Sequence, residues 1–110
     1  MATRKEYKDY ILEQLSMLNN IECKPMMGEY LLYYKGTLFG GIYDDRMLVK
    51  IVEGNKKYNM EETIPYKGAK AMYLVSEIDN ADTLKDIVID TVESLERWLY
   101  ERINKRFKYI

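Results

Sequence analysis

Hydrophobic positions along the chain change their period twice, and the changes divide it into helix, sheet and helix. Tyr7, Tyr10, Ile11, Gln14, Leu15 and Leu18 recur at intervals of three and four, the spacing of one helical face. Thr3 and Glu6 stand at capping-box spacing, so each side chain is expected to bond the other's backbone N–H. Asn19-Asn20 ends the helix, because Asn tolerates left-handed backbone. Residues 21–24 read as a short extended piece closed by Pro25. Residues 26–50 then read as two tight β-hairpins in succession. Residues 29–34 form a strand, Lys35-Gly36 a two-residue turn, and residues 37–43 the return. Asp44-Asp45-Arg46 makes the second turn, and residues 47–52 the third strand.

Periodicity is lost over residues 54–65, where a short turn of helix at residues 60–63 is the most that the pattern supports. Residues 66–71 read as a loop or a single helical turn and residues 72–76 as a further strand. Asp79-Asn80-Ala81-Asp82 offers several N-cap residues for a final helix. That helix carries Leu84, Ile87, Val88, Thr91, Val92, Leu95, Trp98, Leu99, Arg102 and Ile103 along one stripe and runs to about Arg106. The fold class is α+β: an antiparallel meander flanked by an N-terminal and a long C-terminal helix. One domain is expected over residues 1–110.

In the meander the alternation fails. Tyr30, Leu32 and Tyr34 interleave with Leu31 and Tyr33, so both faces of that strand are apolar or amphipathic, and residues 47–52 behave similarly. A sheet covered on one face should alternate apolar and polar positions. Either helices cover both faces, or one face meets a partner. The chain holds 11 tyrosines and 7 methionines. Both residue types suit interfaces, since they bury area while keeping a polar tip or adapting their shape.

The charge balance narrows the function classes. The net charge is −1, which argues against phosphate neutralisation and makes nucleic acid an improbable partner. There is no histidine, so the commonest general base and metal ligand are missing. Cys23 is the single cysteine; it cannot form an internal disulfide and reads as a structural residue of a reducing compartment. No apolar run is long enough to cross a bilayer and the first residues lack the pattern of a signal peptide, so the cytoplasm is the expected location. After Glu96 the charge turns basic, with Arg97, Arg102, Lys105, Arg106 and Lys108 against Glu101. The helix macrodipole accounts for part of this, and a basic tail that docks on an acidic partner is the sharper reading.

No catalytic residue, metal ligand set or cofactor is expected, and no phosphate loop, dinucleotide fingerprint or zinc spacing is present. Asp44 and Asp45 are adjacent carboxylates, but a divalent ion needs more oxygen ligands, and Asp is favoured in hairpin turns. Gly40-Gly41 inside a strand marks a bulge or a close approach, of a ligand or of a packed ring. Met27, Gly28, Tyr30, Gly40, Gly41, Tyr43, Asp44, Asp45, Arg46 and Lys50 make the candidate interaction or ligand surface.

The segments Met27-Gly28-Glu29-Tyr30, Gly36, Gly40-Gly41-Ile42-Tyr43-Asp44-Asp45-Arg46 and Leu48-Val49-Lys50 resemble the N-terminal domain of the TfoX/Sxy family. Tyr66-Lys67-Gly68-Ala69-Lys70-Ala71-Met72 with Val75-Ser76-Glu77-Ile78-Asp79 is similar to the second block of its small single-domain members. The resemblance implies an α+β domain with a topology like that of secretion chaperones. It also implies a link to competence and transcription in bacteria, held by two-domain members with a further helical domain. It carries no catalytic residues. The expected function is a non-enzymatic, cytoplasmic protein–protein interaction module, regulatory in role, that binds an unnamed protein or forms a homodimer. The second reading is a domain that senses a small anion or metabolite near Gly40, Gly41, Arg46 and Lys50.

Overall fold

The computed structural model describes residues 2–108, with side chains to Lys105. Helix α1 spans Lys5–Gln14 and helix α2 spans Ala81–Lys108. Between them lie strands β1 (Ile21–Met26), β2 (Glu29–Tyr34), β3 (Thr37–Ile42), β4 (Met47–Val49), β5 (Glu61–Thr63) and β6 (Met72–Leu74), with a 3-10 helix at Glu53–Tyr58. The sheet is antiparallel throughout, in the order β1-β2-β3-β4-β6-β5.

Three hairpins follow one another, one more than the pattern predicts. Each turns on two residues of left-handed backbone: Met27 and Gly28 (φ 51° and 85°), Lys35 and Gly36 (49° and 83°), Asp44 and Asp45 (52° and 55°). Two successive positive φ values match the right-handed twist of the flanking strands. The additional hairpin arises because β1 does not stop at Pro25. Pro25 pairs with Tyr30 on an edge strand, where its missing N–H disrupts no central ladder.

Several expectations are corrected by tertiary contacts. Thr3 is not a cap: Arg4 takes the N-cap position without a side-chain bond, and the buried Thr3 hydroxyl donates to Glu29 Oε1 at 2.7 Å. Residues 60–63 are not helical; β5 occupies Glu61–Thr63 and pairs with β6. The preceding segment is the ordered 3-10 helix, held by buried Asn55. Strands β4 and β6 are three residues each, shorter than the apolar runs that contain them. Asn80 does cap α2, its Oδ1 accepting from the Thr83 N–H at 3.1 Å.

The core lies on one face of the sheet. Leu32, Phe39, Ile42, Met47, Val49 and Tyr73 pack there against Ile11 of α1, Leu15 at its C-terminal cap, and Leu84, Ile87, Val88 and Val92 of α2. The register shifts between Leu32 and Tyr33, which face Gly40 and Leu38, so Phe39 is the extra residue of a bulge. A Cβ on Gly40 would lie 2.1 Å from the Leu48 carbonyl oxygen, so only glycine closes this bulge against β4. Both helices therefore pack on the same side, and the second apolar face of β2, β3 and β4 is left to the loop at residues 64–71.

Candidate functional site: a groove on the outer face of the sheet

Side chains that alternate away from the core build the second face. Leu31, Leu38, Tyr43 and Met72 project there, joined by Pro65 and Tyr66 from the covering loop and by Ile51. Between sheet and loop opens a groove of about 640 Å³, within the size range of ligand and peptide sites. Lys50 and Lys70 stand on its rim. Among the described residues neither forms an ion pair.

The groove is shaped by the third hairpin. Gly41 sits beneath the Tyr43 ring; a Cβ there would lie 2.5 Å from the Tyr30 carbonyl oxygen and 2.7 Å from the ring. Close packing of a ring, not of a ligand, occupies this glycine. The ring of Tyr43 is buried and meets that of exposed Tyr66, with centroids 6.0 Å apart and planes inclined at 50°. Burial, then the neighbouring Tyr66 and Glu29, push the Tyr43 hydroxyl above its ordinary pKa, so it stays neutral across the physiological range. Arg46 fixes the loop. Its Nη1 donates to Thr63 Oγ1 at 3.1 Å and the Ile64 carbonyl at 3.3 Å, and its Nη2 to the Pro65 carbonyl at 3.1 Å. Its Nε donates to the Tyr43 carbonyl at 3.2 Å.

Asp44 and Asp45 fasten the turn to the N-terminus. The Asp44 N–H donates to Glu29 Oε2 at 2.9 Å, and the Asp45 N–H donates to Thr3 Oγ1 at 3.3 Å. Asp45 receives the Arg4 backbone N–H at 2.9 Å and its guanidinium at 2.7 Å, and these hold its carboxyl below the usual range, the backbone bond most. No cluster of three or more Asp, Glu, Cys or His residues suited to a metal occurs among the described residues.

Of the ten residues singled out in the sequence, Gly40, Tyr43 and Lys50 line the groove. Gly41 and Arg46 support it from beneath and from its end. Met27, Gly28, Asp44 and Asp45 are turn residues beside the N-terminal segment, where Gly28 accepts the Thr3 N–H. Tyr30 faces the core side, with Lys8 5.5 Å from its ring. The groove residues not singled out are Leu31, Leu38, Ile51, Pro65, Tyr66, Ala69, Lys70, Ala71 and Met72. Their signal lay in the doubly apolar β2 and in the Tyr66–Met72 block, which no periodicity tied to the sheet. Cys23 is half-buried against the core, and burial raises its thiol pKa. No helix among the described residues is long and apolar enough to cross a membrane.

A protein of Spirochaeta aurantia, described as an uncharacterised 12.7 kDa protein in the trpE 5′ region, is 28% identical over 98 residues. The match covers 86% of this chain and 85% of that protein. The family model for the TfoX N-terminal domain matches residues 13–104, which takes in every strand, the groove and most of α2. The family is not one of known enzymes, and membership supports a regulatory or competence-linked domain. With the matched span covering most of the fold just described, the chain belongs to the TfoX N-terminal domain family.

Proposed function

We propose that this domain is a non-enzymatic protein–protein interaction module that acts in the cytoplasm, and that its outer-face groove receives a segment of a protein partner. One observation carries the reading: both long helices pack on one face of the sheet, and the other face keeps an open apolar groove walled by Leu31, Leu38 and Met72 with exposed Tyr66 at its edge. Aromatic and aliphatic anchors in a concavity with a polar rim are the pattern of a binding hot spot. The groove gathers no acid–base pair and no activated nucleophile, which favours binding over chemistry. A photoreactive phenylalanine analogue at position 66 should crosslink a discrete protein in cells of the source organism, while the same probe at exposed position 57 should not. Equal labelling from both positions, or none from position 66, refutes the reading.

Lys50 and Lys70 favour a second reading, a domain that senses a small anionic metabolite. A ligand that binds only the folded state raises the melting temperature. A screen of nucleotides, sugar phosphates and dicarboxylates should then give a shift that Lys50→Ala abolishes.

A further inference from the structure

Helix α2 outruns the body that it packs on. Thr91 and Val92 are buried and Leu95 is half-buried, but every described side chain from Glu96 to Lys105 is exposed. The apolar stripe does not stop there. Leu95, Trp98, Leu99, Arg102 and Ile103 continue in phase with the core positions Val88, Thr91 and Val92, because steps of three and four hold a helical face. Trp98 is 56% exposed, Leu99 55% and Ile103 45%. The guanidinium of Arg102 lies 4.8 Å from the Trp98 ring, extending the flat surface. At the root of the overhang a groove of about 690 Å³ opens beside the helix, lined by Ile51, Val52, Leu95 and Trp98 among others.

We propose that this overhang pairs antiparallel with the same segment of a second copy, in a two-fold dimer centred near Leu99. A helix face apolar in register with the core, yet without a partner, gains from burial only against another surface of the same period. The charges choose the orientation. Glu93, Glu96 and Arg97 precede the centre, whereas Glu101, Arg102 and Lys105 follow it. An antiparallel pair sets Glu93 level with Lys105, Glu96 with Arg102 and Arg97 with Glu101 of the other copy and opposes the two helix dipoles; a parallel pair would stack like on like. The area suffices. Trp98, Leu99 and Ile103, each about half exposed, offer roughly 300 Å² of apolar surface per copy. At an ordinary apolar share of about 57% this corresponds to ~1,100 Å² buried in total, above the roughly 1,000 Å² that a specific interface must clear. Ile103 of the second copy then falls beside Leu95 and the groove at Ile51 and Val52.

The chain has one tryptophan, and it lies at the centre of the proposed contact. Sedimentation velocity of the intact chain from about 1 to 100 μM should show a reversible dimer, and Trp98 emission should shift to the red on dilution over the same range. Leu99→Asp should weaken the dimer at least about tenfold and leave the melting temperature unchanged at concentrations where the wild type is monomeric, since Leu99 is 55% exposed. Ile103→Glu, one turn further from the body, should do the same. In a Cys23→Ser background, Leu99→Cys should form a symmetric disulfide and Asn104→Cys should not. A monomer at every concentration overturns the proposal. So does a dimer that survives both substitutions, equal crosslinking from positions 99 and 104, or an emission maximum independent of concentration. These outcomes are separate from the fate of the sheet groove, because none of the substituted residues lines it.

Discussion

Replacing Asn55 by alanine probes the contact that orders the segment between β4 and β5. Asn55 is fully buried, and its side chain makes three bonds. Its Nδ2 donates to the Lys50 carbonyl at 2.8 Å and to Thr91 Oγ1 at 2.9 Å, and its Oδ1 accepts the Val52 N–H at 3.2 Å. Alanine leaves the Lys50 carbonyl and the Val52 N–H without these partners. A buried polar group stripped of its bond costs about 1–3 kcal/mol, so two such groups together with the lost volume come to roughly 3–5 kcal/mol. A domain of this size has a total stability of about 5–15 kcal/mol. The urea midpoint should therefore fall by about 2 M, using a slope of about 1–3 kcal/mol/M. A double-mutant cycle with Thr91→Val isolates the Asn55–Thr91 bond, whose coupling should be near 1 kcal/mol. Thr91 is itself anchored, donating to the Ile87 carbonyl at 2.7 Å. A midpoint shift below about 0.5 M, or strictly additive single mutants, would refute the assignment of this network as the tie between the 3-10 helix and α2.

Gly41→Ala should destabilise by about 1–3 kcal/mol in thermal or urea unfolding, because a Cβ there meets the Tyr30 carbonyl and the Tyr43 ring and a paired strand cannot retreat; an unchanged melting temperature would show that the ring is free to move. Asp45 titrates lower folded than unfolded, so its contribution is present above about pH 4 and disappears as the pH falls through its folded value. Urea midpoints measured from neutral pH downward should thus drop more steeply in the wild type than in Asp45→Asn. Cys23, with its thiol pKa raised by burial, should react with a disulfide reagent more slowly than a free thiol at pH about 8 and at the full rate in denaturant; fast labelling of the folded protein would place it on the open surface.

Where local chemistry alone decides the backbone, the sequence is a good guide. Lys35-Gly36 and Asn80 act as their side chains demand, and the α2 stripe from Leu84 to Val92 packs as its spacing requires. Long-range bonds are what the reading misses. Thr3 spends its hydroxyl on Glu29, 26 positions away, instead of on its own helix. Gly54 and Asn55 look like loop residues, yet the Gly54 N–H reaches Ser94 Oγ at 2.8 Å and Asn55 reaches Thr91. The doubly apolar β2 is legible as a surface needing cover, but the identity of the cover is not. Tyr66 and Pro65 lie over the outer face, where Arg46 holds the carbonyls of their loop and Tyr66 meets the Tyr43 ring. The exposed end of the α2 stripe has the same spacing as its buried part, so periodicity cannot tell where the body stops.

The two margins of the sheet have a consequence for aggregation. On one side β1 offers Pro25, which has no N–H to donate, beside exposed Glu22 and Lys24. On the other, β5 is three residues long and begins with the exposed pair Glu61-Glu62. A strand from another chain that approached either margin would find too few donors or a like-charged row. The tyrosine-rich meander, whose segments have the β-propensity of a fibril former, is thereby shielded from growth by strand addition. A domain with this much exposed apolar surface can remain dispersed, with association directed to side-chain contacts on faces and helices instead of to an open-ended ladder of backbone bonds.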